Sequence, residues 1–110
     1  MLITTTQTIP GKSIRDVRGI VFGEAVQHAA AFSSLSEAFG NFDRLAGMSY
    51  DERLKYYNKG LMEARAQAME VMERRAANMG ANAIVAVDVS LNEAKGIVLI
   101  GVSGTAVVTD

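Results

Sequence analysis

A single segment, residues 50–79, most constrains how this chain can fold, because both of its ends carry helix signals. Ser49-Tyr50-Asp51-Glu52 has the form of a capping box, in which serine is followed three residues later by glutamate. Gly80 stands where a helix commonly ends in the left-handed conformation. These signals predict a helix from Tyr50 to Met79, roughly 45 Å long, which is enough to cross a small sheet.

The apolar residues of this segment recur every three or four positions, as on one face of a helix. They are Leu54, Tyr57, Leu61, Ala64, Ala68, Met72, Ala76 and Met79, flanked by Met62 and Met69 on one side and Val71 on the other. The stripe covers roughly 180° of the helix, whereas packing on one sheet requires about 100°. We therefore expect something besides the chain's own sheet to cover the excess.

Four extended segments accompany the helix. Residues 3–6 come before a Pro10-Gly11 turn, and residues 14–23 alternate until Gly19, where a glycine predicts a bulge. In the third segment, residues 82–91, one face is expected to carry Ala83, Val85, Val87, Val89 and Leu91. A hairpin loop of about five residues, 92–96, is expected to lead to a last strand at 97–109. This strand is apolar on both faces except near residues 101–105. This order of elements predicts an α+β fold in which an antiparallel sheet packs on one long helix.

The segment between residues 25 and 47 gives a mixed signal. Residues 25–32 are compatible with one or two helical turns before Ser33-Ser34 interrupts them. A second capping box, Ser34-Leu35-Ser36-Glu37, is followed by apolar residues at helical spacing, which predicts a short helix over residues 35–45.

Composition limits the classes of function. A chain of 110 residues predicts a single domain spanning 1–110. Its 11 basic and 12 acidic residues provide no general attraction to nucleic acid or to anionic lipid, so we expect neither as a partner. The absence of cysteine fits a reducing compartment, and the first residues lack the pattern of a secretory signal, so a cytoplasmic protein is expected. With no cysteine nucleophile and one histidine, we expect no enzyme.

The candidate metal ligands are His28, the single histidine, and Glu24. On a helix, the four-residue spacing would place both side chains on one face. A divalent metal usually needs three or four protein ligands, so the pair alone is inadequate, although a symmetric ring could bring one His28 from each subunit to a common axis. The alternative is an ordinary surface or interface histidine that binds no cofactor.

Arg65 and Arg75 lie within the apolar stripe of the predicted helix. An arginine there must pair or reach solvent, because an isolated buried charge costs several kcal/mol. Asp88 and Glu24 are the candidate partners. A structural ion pair or subunit interface at Arg65 and Asp88 is expected, with an anion-binding site as the alternative.

Five sequence pieces, in order along nearly the whole chain, carry a resemblance to a known family. They are Ile3-Thr4-Thr5-Thr6 with Ile9-Pro10-Gly11, Gly19 to Gly23 with Glu24-Ala25-Val26, Glu63-Ala64-Arg65, Gly80-Ala81-Asn82-Ala83-Ile84-Val85, and Ser103-Gly104-Thr105-Ala106-Val107. Together they resemble the YbjQ family of putative heavy-metal-binding proteins. The resemblance implies a dodecin-like α+β subunit assembled into a ring, with a pentamer as the expected assembly.

The resemblance also implies heavy-metal binding, but this chain has no cysteine to supply the thiolate ligands that soft metals prefer. The expected function is therefore that of a small cytoplasmic homo-oligomer without catalytic activity. The alternative is a module that binds a metal ion or small ligand between subunits, through His28, Glu24 or Asp88.

Overall fold

The computed structural model describes residues 1–28, 49–94 and 97–110. In chain order, the elements are β1 (Leu2–Ile3), β2 (Ile14–His28), α1 (Tyr50–Asn78), β3 (Ala83–Ala94) and β4 (Ile97–Thr109). The strands form one sheet in the order β1-β3-β4-β2, and α1 packs on it. The predicted α+β class is confirmed, but the sheet is mixed rather than wholly antiparallel, because β1 runs parallel to β3.

The helix begins and ends where its sequence signals predict. The Ser49 side chain accepts a hydrogen bond from the Glu52 backbone nitrogen at 3.2 Å, which satisfies one free donor of the first turn. After the C-cap residue Met79, Gly80 adopts a φ of 83°, a left-handed conformation in which glycine carries no steric cost. Within the described residues, no helix is both long and apolar enough to cross a membrane.

The face of α1 that packs on the sheet is built mostly from small side chains. Ala64, Ala68, Met72 and Ala76 are buried there. Gly23 of β2 lies directly beneath them, and a Cβ placed on it would come within 2.8 Å of the Met72 backbone nitrogen. Helix and strand backbones therefore approach closely, with no room for a side chain between them.

Strand β2 is longer than its sequence pattern indicates. It continues to His28, which pairs with Ile97 of β4, so the helical interpretation of residues 25–32 is wrong for residues 25–28. The continuous ladder with β4 supplies backbone hydrogen bonds that outweigh the weak local preference. Residues 29–32 and the short helix predicted at 35–45 lie outside the described residues.

The β3–β4 hairpin is tighter than predicted. Its strands pair as far as Ala94 with Ile97, so residues 92–94 belong to β3 and a loop over 92–96 is wrong. The cross-strand ladder again extends beyond the local turn signals. Residues 95 and 96 lie outside the described residues.

Three register shifts interrupt the alternation of the strands, and the first lies in β2 between Ile14 and Asp16. The register of β2 shifts between Val17 and Gly19, whose φ is 130°, which confirms the bulge predicted at this glycine. The third shift lies in β3, where Ala86 has a φ of 53°. An inserted residue turns the following side chains to the opposite face. The prediction of one shared face is therefore wrong: Ala83 and Val85 point away from α1, whereas Val87, Val89 and Leu91 lie on the helix side.

A small second core covers one end of the sheet face that points away from α1. Ile9 of the N-terminal segment packs there against Ala83, Val85 and Val107, with Ile14 at its margin. Nearer to His28, no described segment packs in the same way on the sheet face that points away from α1.

Candidate functional site

The helix leaves part of the sheet open. It packs mainly over β2 and β4, so none of the other described elements covers the second half of β3 on the helix side. A groove of about 190 Å³ remains between α1 and β3. It is lined by Leu61, Met62 and Arg65 of α1, Val89 and Leu91 of β3, and Ile100 of β4. We call these six residues the α1–β3 groove.

The walls of the α1–β3 groove are apolar and accessible. Met62 is 62% exposed, Val89 48% and Leu91 52%. The N-terminal segment bonds to β3 as far as Val87, whose backbone nitrogen donates to the Thr4 carbonyl oxygen at 3.1 Å. The excess apolar surface predicted for the helix is therefore present at Met62, and the bulge at residue 86 extends it onto β3.

A second exposed apolar surface lies on β2 and faces away from α1. It consists of Ile20, Phe22 and Val26, which are 80%, 58% and 55% exposed. We call these three residues the β2 row. Leu99 of β4 pairs with Val26 and is exposed beside it. Glu24 lies within this row, between Phe22 and Val26. Exposed apolar side chains grouped in this way often mark an interaction site.

Arg75 reaches from α1 to the outer edge of β2, where it contacts Glu24. Its two terminal nitrogens donate to the two Glu24 carboxylate oxygens at 3.0 and 2.8 Å, and one of them also donates to the Phe22 carbonyl oxygen at 2.9 Å. The guanidinium carbon lies 5.3 Å from the centre of the Phe22 ring, within the range of a cation–π contact. Hydrogen bonding from Arg75 lowers the pKa of Glu24, and the same bonds raise the pKa of Arg75.

The two arginines of the apolar stripe have different surroundings. Glu24, one of the two expected partners, pairs with Arg75 rather than with Arg65. No ion pair among the described residues includes Arg65, which lines the α1–β3 groove. Asp88 pairs with Ser103 on the face away from α1, so one chain does not bring it to Arg65. An ion pair or interface at Arg65 and Asp88 between subunits stays a prediction.

The candidate metal ligands lie on a strand instead of a helix. Glu24 and His28 are four residues apart on β2, which separates their Cα atoms by roughly 13 Å on the same face of the sheet. The His28 side chain is outside the described part of the structure. Within that part, no three His, Cys, Asp or Glu residues are grouped to hold a metal ion. A metal role for His28 and Glu24 through several subunits stays a prediction.

Comparison with known proteins places the chain in a family. The model of the YbjQ family, described as "Putative heavy-metal-binding", matches residues 1–110. This chain belongs to the YbjQ family. Its relatives include UPF0145 proteins of Clostridium kluyveri and Listeria grayi, which are 34% and 39% identical to it over alignments of 113 residues. Both alignments span 100% of this chain and 100% of the relative.

A solved structure supports the fold of this YbjQ-family chain. A protein of unknown function from Pediococcus pentosaceus, assigned to the DUF74 family, superimposes with a TM-score of 0.55. The match covers 100% of this chain and 98% of the other, at 16% sequence identity. At that identity, the likeness concerns the fold alone.

Sequence reasoning missed the two residues on β3 that form the open wall of the groove. The alternation of the sequence predicts Val89 and Leu91 on the same face as Val85, whereas the bulge at Ala86 turns them toward α1. A positive φ at an alanine leaves no sequence signal, because the residue type does not demand it. The one sequence signal is the length of the alternating apolar run at residues 83–91. It indicates a strand that continues beyond the part of the sheet on which the helix packs.

Proposed function

We propose that this YbjQ-family chain is the subunit of a homo-oligomeric ring, with a dodecin-like subunit arrangement and five subunits, and that it has no catalytic activity of its own. The observation that carries the proposal is the presence of two exposed apolar surfaces, the α1–β3 groove and the β2 row. The family membership supports a shared assembly, and the pentamer is taken from the resemblance.

The size of the hydrophobic effect supports subunit contacts at these surfaces. Full burial of an aliphatic or aromatic side chain contributes about 1.5–3 kcal/mol. Ile20, Phe22 and Val26 on one surface and Val89 and Leu91 on the other are each about half exposed or more. Covering them would release enough free energy to offset part of the cost of association. Because these contacts are apolar, the association should depend little on salt.

Sedimentation velocity at low and high ionic strength tests this proposal. The chain should sediment as the same oligomer in 0.1 and about 1 M salt, where exposed charges are screened. A Leu91→Glu variant should dissociate, because it puts a carboxylate on the apolar wall of the groove. The control Ala66→Glu adds the same charge at an exposed position of α1 and should assemble normally. An oligomer that separates into monomers in high salt would contradict an apolar interface.

A metal-binding module is the second candidate, supported by the description of the family model. Its site would form between subunits from His28, Glu24 or Asp88, whose nitrogen and oxygen donors suit divalent metals better than soft ones. Elemental analysis of untagged protein, before and after loading with Zn²⁺, tests it. Stoichiometric metal that is lost in His28→Ala supports this candidate, and absence of metal in both samples rejects it.

The nearly balanced charge, 11 basic against 12 acidic residues, supports an assembly without nucleic-acid or membrane partners. A cytoplasmic location remains part of the same proposal, since a chain without cysteine is suited to a reducing compartment.

A further inference from the structure

We infer that the ring forms head to tail, with the β2 row of one subunit packed into the α1–β3 groove of the next, and with Glu24 facing the neighbouring subunit's Arg65. This inference rests on the proposed homo-oligomer and specifies its contact surfaces. The occupant of the groove is a second copy of this chain.

The size of the groove favours side chains over a free ligand. Its volume is about 190 Å³, whereas pockets for small molecules usually hold about 300–1,000 Å³. Its walls are apolar except for Arg65. A space of this kind accommodates one or two large apolar side chains that arrive together with a carboxylate.

The β2 row carries that combination. Glu24 lies between Phe22 and Val26 in the alternation of β2, on the same face of the sheet, and both apolar side chains are exposed. Arg75 uses one hydrogen bond at each Glu24 oxygen. A carboxylate offers about four acceptor sites, so Glu24 retains the capacity to accept from a second arginine. The apolar side chains of the β2 row therefore suit the apolar walls of the groove, and the negative charge of Glu24 complements the positive charge of Arg65.

The position of the two surfaces favours a different neighbour at each of them. In the sheet order β1-β3-β4-β2, the groove borders β3 on the helix side, whereas the β2 row lies at the other edge and on the opposite face. A partner related by a two-fold axis would have to reach both faces of the sheet at once to contact the two surfaces of one subunit. Heterologous contacts produce closed rings when the rotation between subunits closes.

Cysteine cross-linking tests the contact directly, because the chain has no cysteine of its own. The double variant Val26→Cys/Leu91→Cys places one thiol on each surface at exposed positions. A short bismaleimide should link it into a ladder of dimers, trimers and higher species up to the full ring. Each single variant should give no linked dimer. Val17→Cys/Leu91→Cys, with an exposed but distant position on β2, should lose the ladder.

Light scattering of the same variants separates the possible results. A ladder from the Val26→Cys/Leu91→Cys oligomer alone supports the inference. Three results from an oligomeric protein overturn the head-to-tail contact but not the homo-oligomer. They are a double variant that is linked only into dimers, a double variant that is not linked at all, and single variants that are linked. A monomer of the unsubstituted chain overturns both the inference and the proposed function.

Discussion

Arg75 and Glu24 join the last turns of the helix to the outer edge of β2 through two parallel hydrogen bonds of 3.0 and 2.8 Å. The residues are 51 positions apart in the chain, so the contact fixes how α1 lies along the sheet. The bond from Arg75 to the Phe22 carbonyl oxygen also occupies one acceptor of this edge strand. Occupied edge groups reduce uncontrolled strand pairing. The ion pair thus orients the helix and restricts the edge on which the β2 row is carried.

The stability contributed by this pair should depend on pH. Arg75 holds the pKa of Glu24 below its usual value of 4.5. A depressed carboxyl pKa contributes stability that is complete above 4.5 and is lost as the pH falls through the folded-state pKa. Glu24→Gln should therefore melt at a lower temperature than the parent chain at pH 7, and the two melting temperatures should converge in acid. Thermal melts from pH 7 to pH 3 provide the measurement.

A matched control for that series is Glu63→Gln, which removes an exposed carboxylate of α1 that makes no ion pair among the described residues. Its melting temperature should follow that of the parent chain at each pH. A difference between Glu24→Gln and the parent that persists unchanged at pH 3 would show that the ion pair does not cause it.

Gly23→Ala should be strongly destabilising. The added Cβ would meet the Ala68 carbonyl oxygen and the Met72 backbone nitrogen, and helix backbone cannot move aside as a flexible side chain can. Overpacking of this kind costs about 1–3 kcal/mol, and occasionally more. Urea denaturation should show the loss. The control is Gly101→Ala, whose Cβ would meet only the Ser90 hydroxyl at 3.0 Å; equal stability of the two variants would contradict the close helix–strand contact.

The bulge in β3 predicts an unusual tolerance for glycine at residue 86. Ala86 has a φ of 53°, a conformation that costs an L-residue about 1–2 kcal/mol and glycine almost nothing. Ala86→Gly should leave the free energy of unfolding unchanged or raise it by up to about 1 kcal/mol. Ala83→Gly, at a buried site in the same strand, should lower it. Equal losses in the free energy of unfolding for both substitutions, measured in urea, would contradict a positive φ at residue 86.

Charge reversal at the groove should weaken assembly. Arg65→Glu would place a carboxylate opposite Glu24 of the neighbouring subunit, and the dissociation constant should rise by about tenfold or more. Arg74→Glu reverses an exposed arginine that pairs with Glu70 on α1 and should change it little. Sedimentation equilibrium compares the two variants at equal concentration. Equal weakening by both would show a general effect of net charge rather than a contact at Arg65.

The helix was predictable because its determinants are local. Ser49 and Gly80 mark its ends within one turn, and the apolar period between them depends on no distant residue. The bulge at Gly19 was predictable for the same reason, since glycine is the residue that its φ of 130° favours. The surplus apolar surface of the helix also followed from the width of its stripe.

The rest depends on contacts between residues that are far apart in the sequence. The strand conformation of residues 25–28 comes from pairing with β4, about 70 positions later, and the parallel pairing of β1 with β3 is equally distant. The sequence predicts Glu24 as an arginine partner, but only the packing of α1 on β2 selects Arg75 over Arg65. The bulge at Ala86 left no sequence signal, so the groove that it creates could not be foreseen.

Static light scattering coupled to size-exclusion chromatography tests the central claim most directly, because it reports mass without assuming a shape. At micromolar concentration, the chain should elute as one species of about 59 kDa, five times its 11.8 kDa subunit mass. The same mass should be found at low and high salt. A mass of 11.8 kDa under these conditions would show a monomer and would contradict the proposal that the exposed apolar surfaces are subunit contacts.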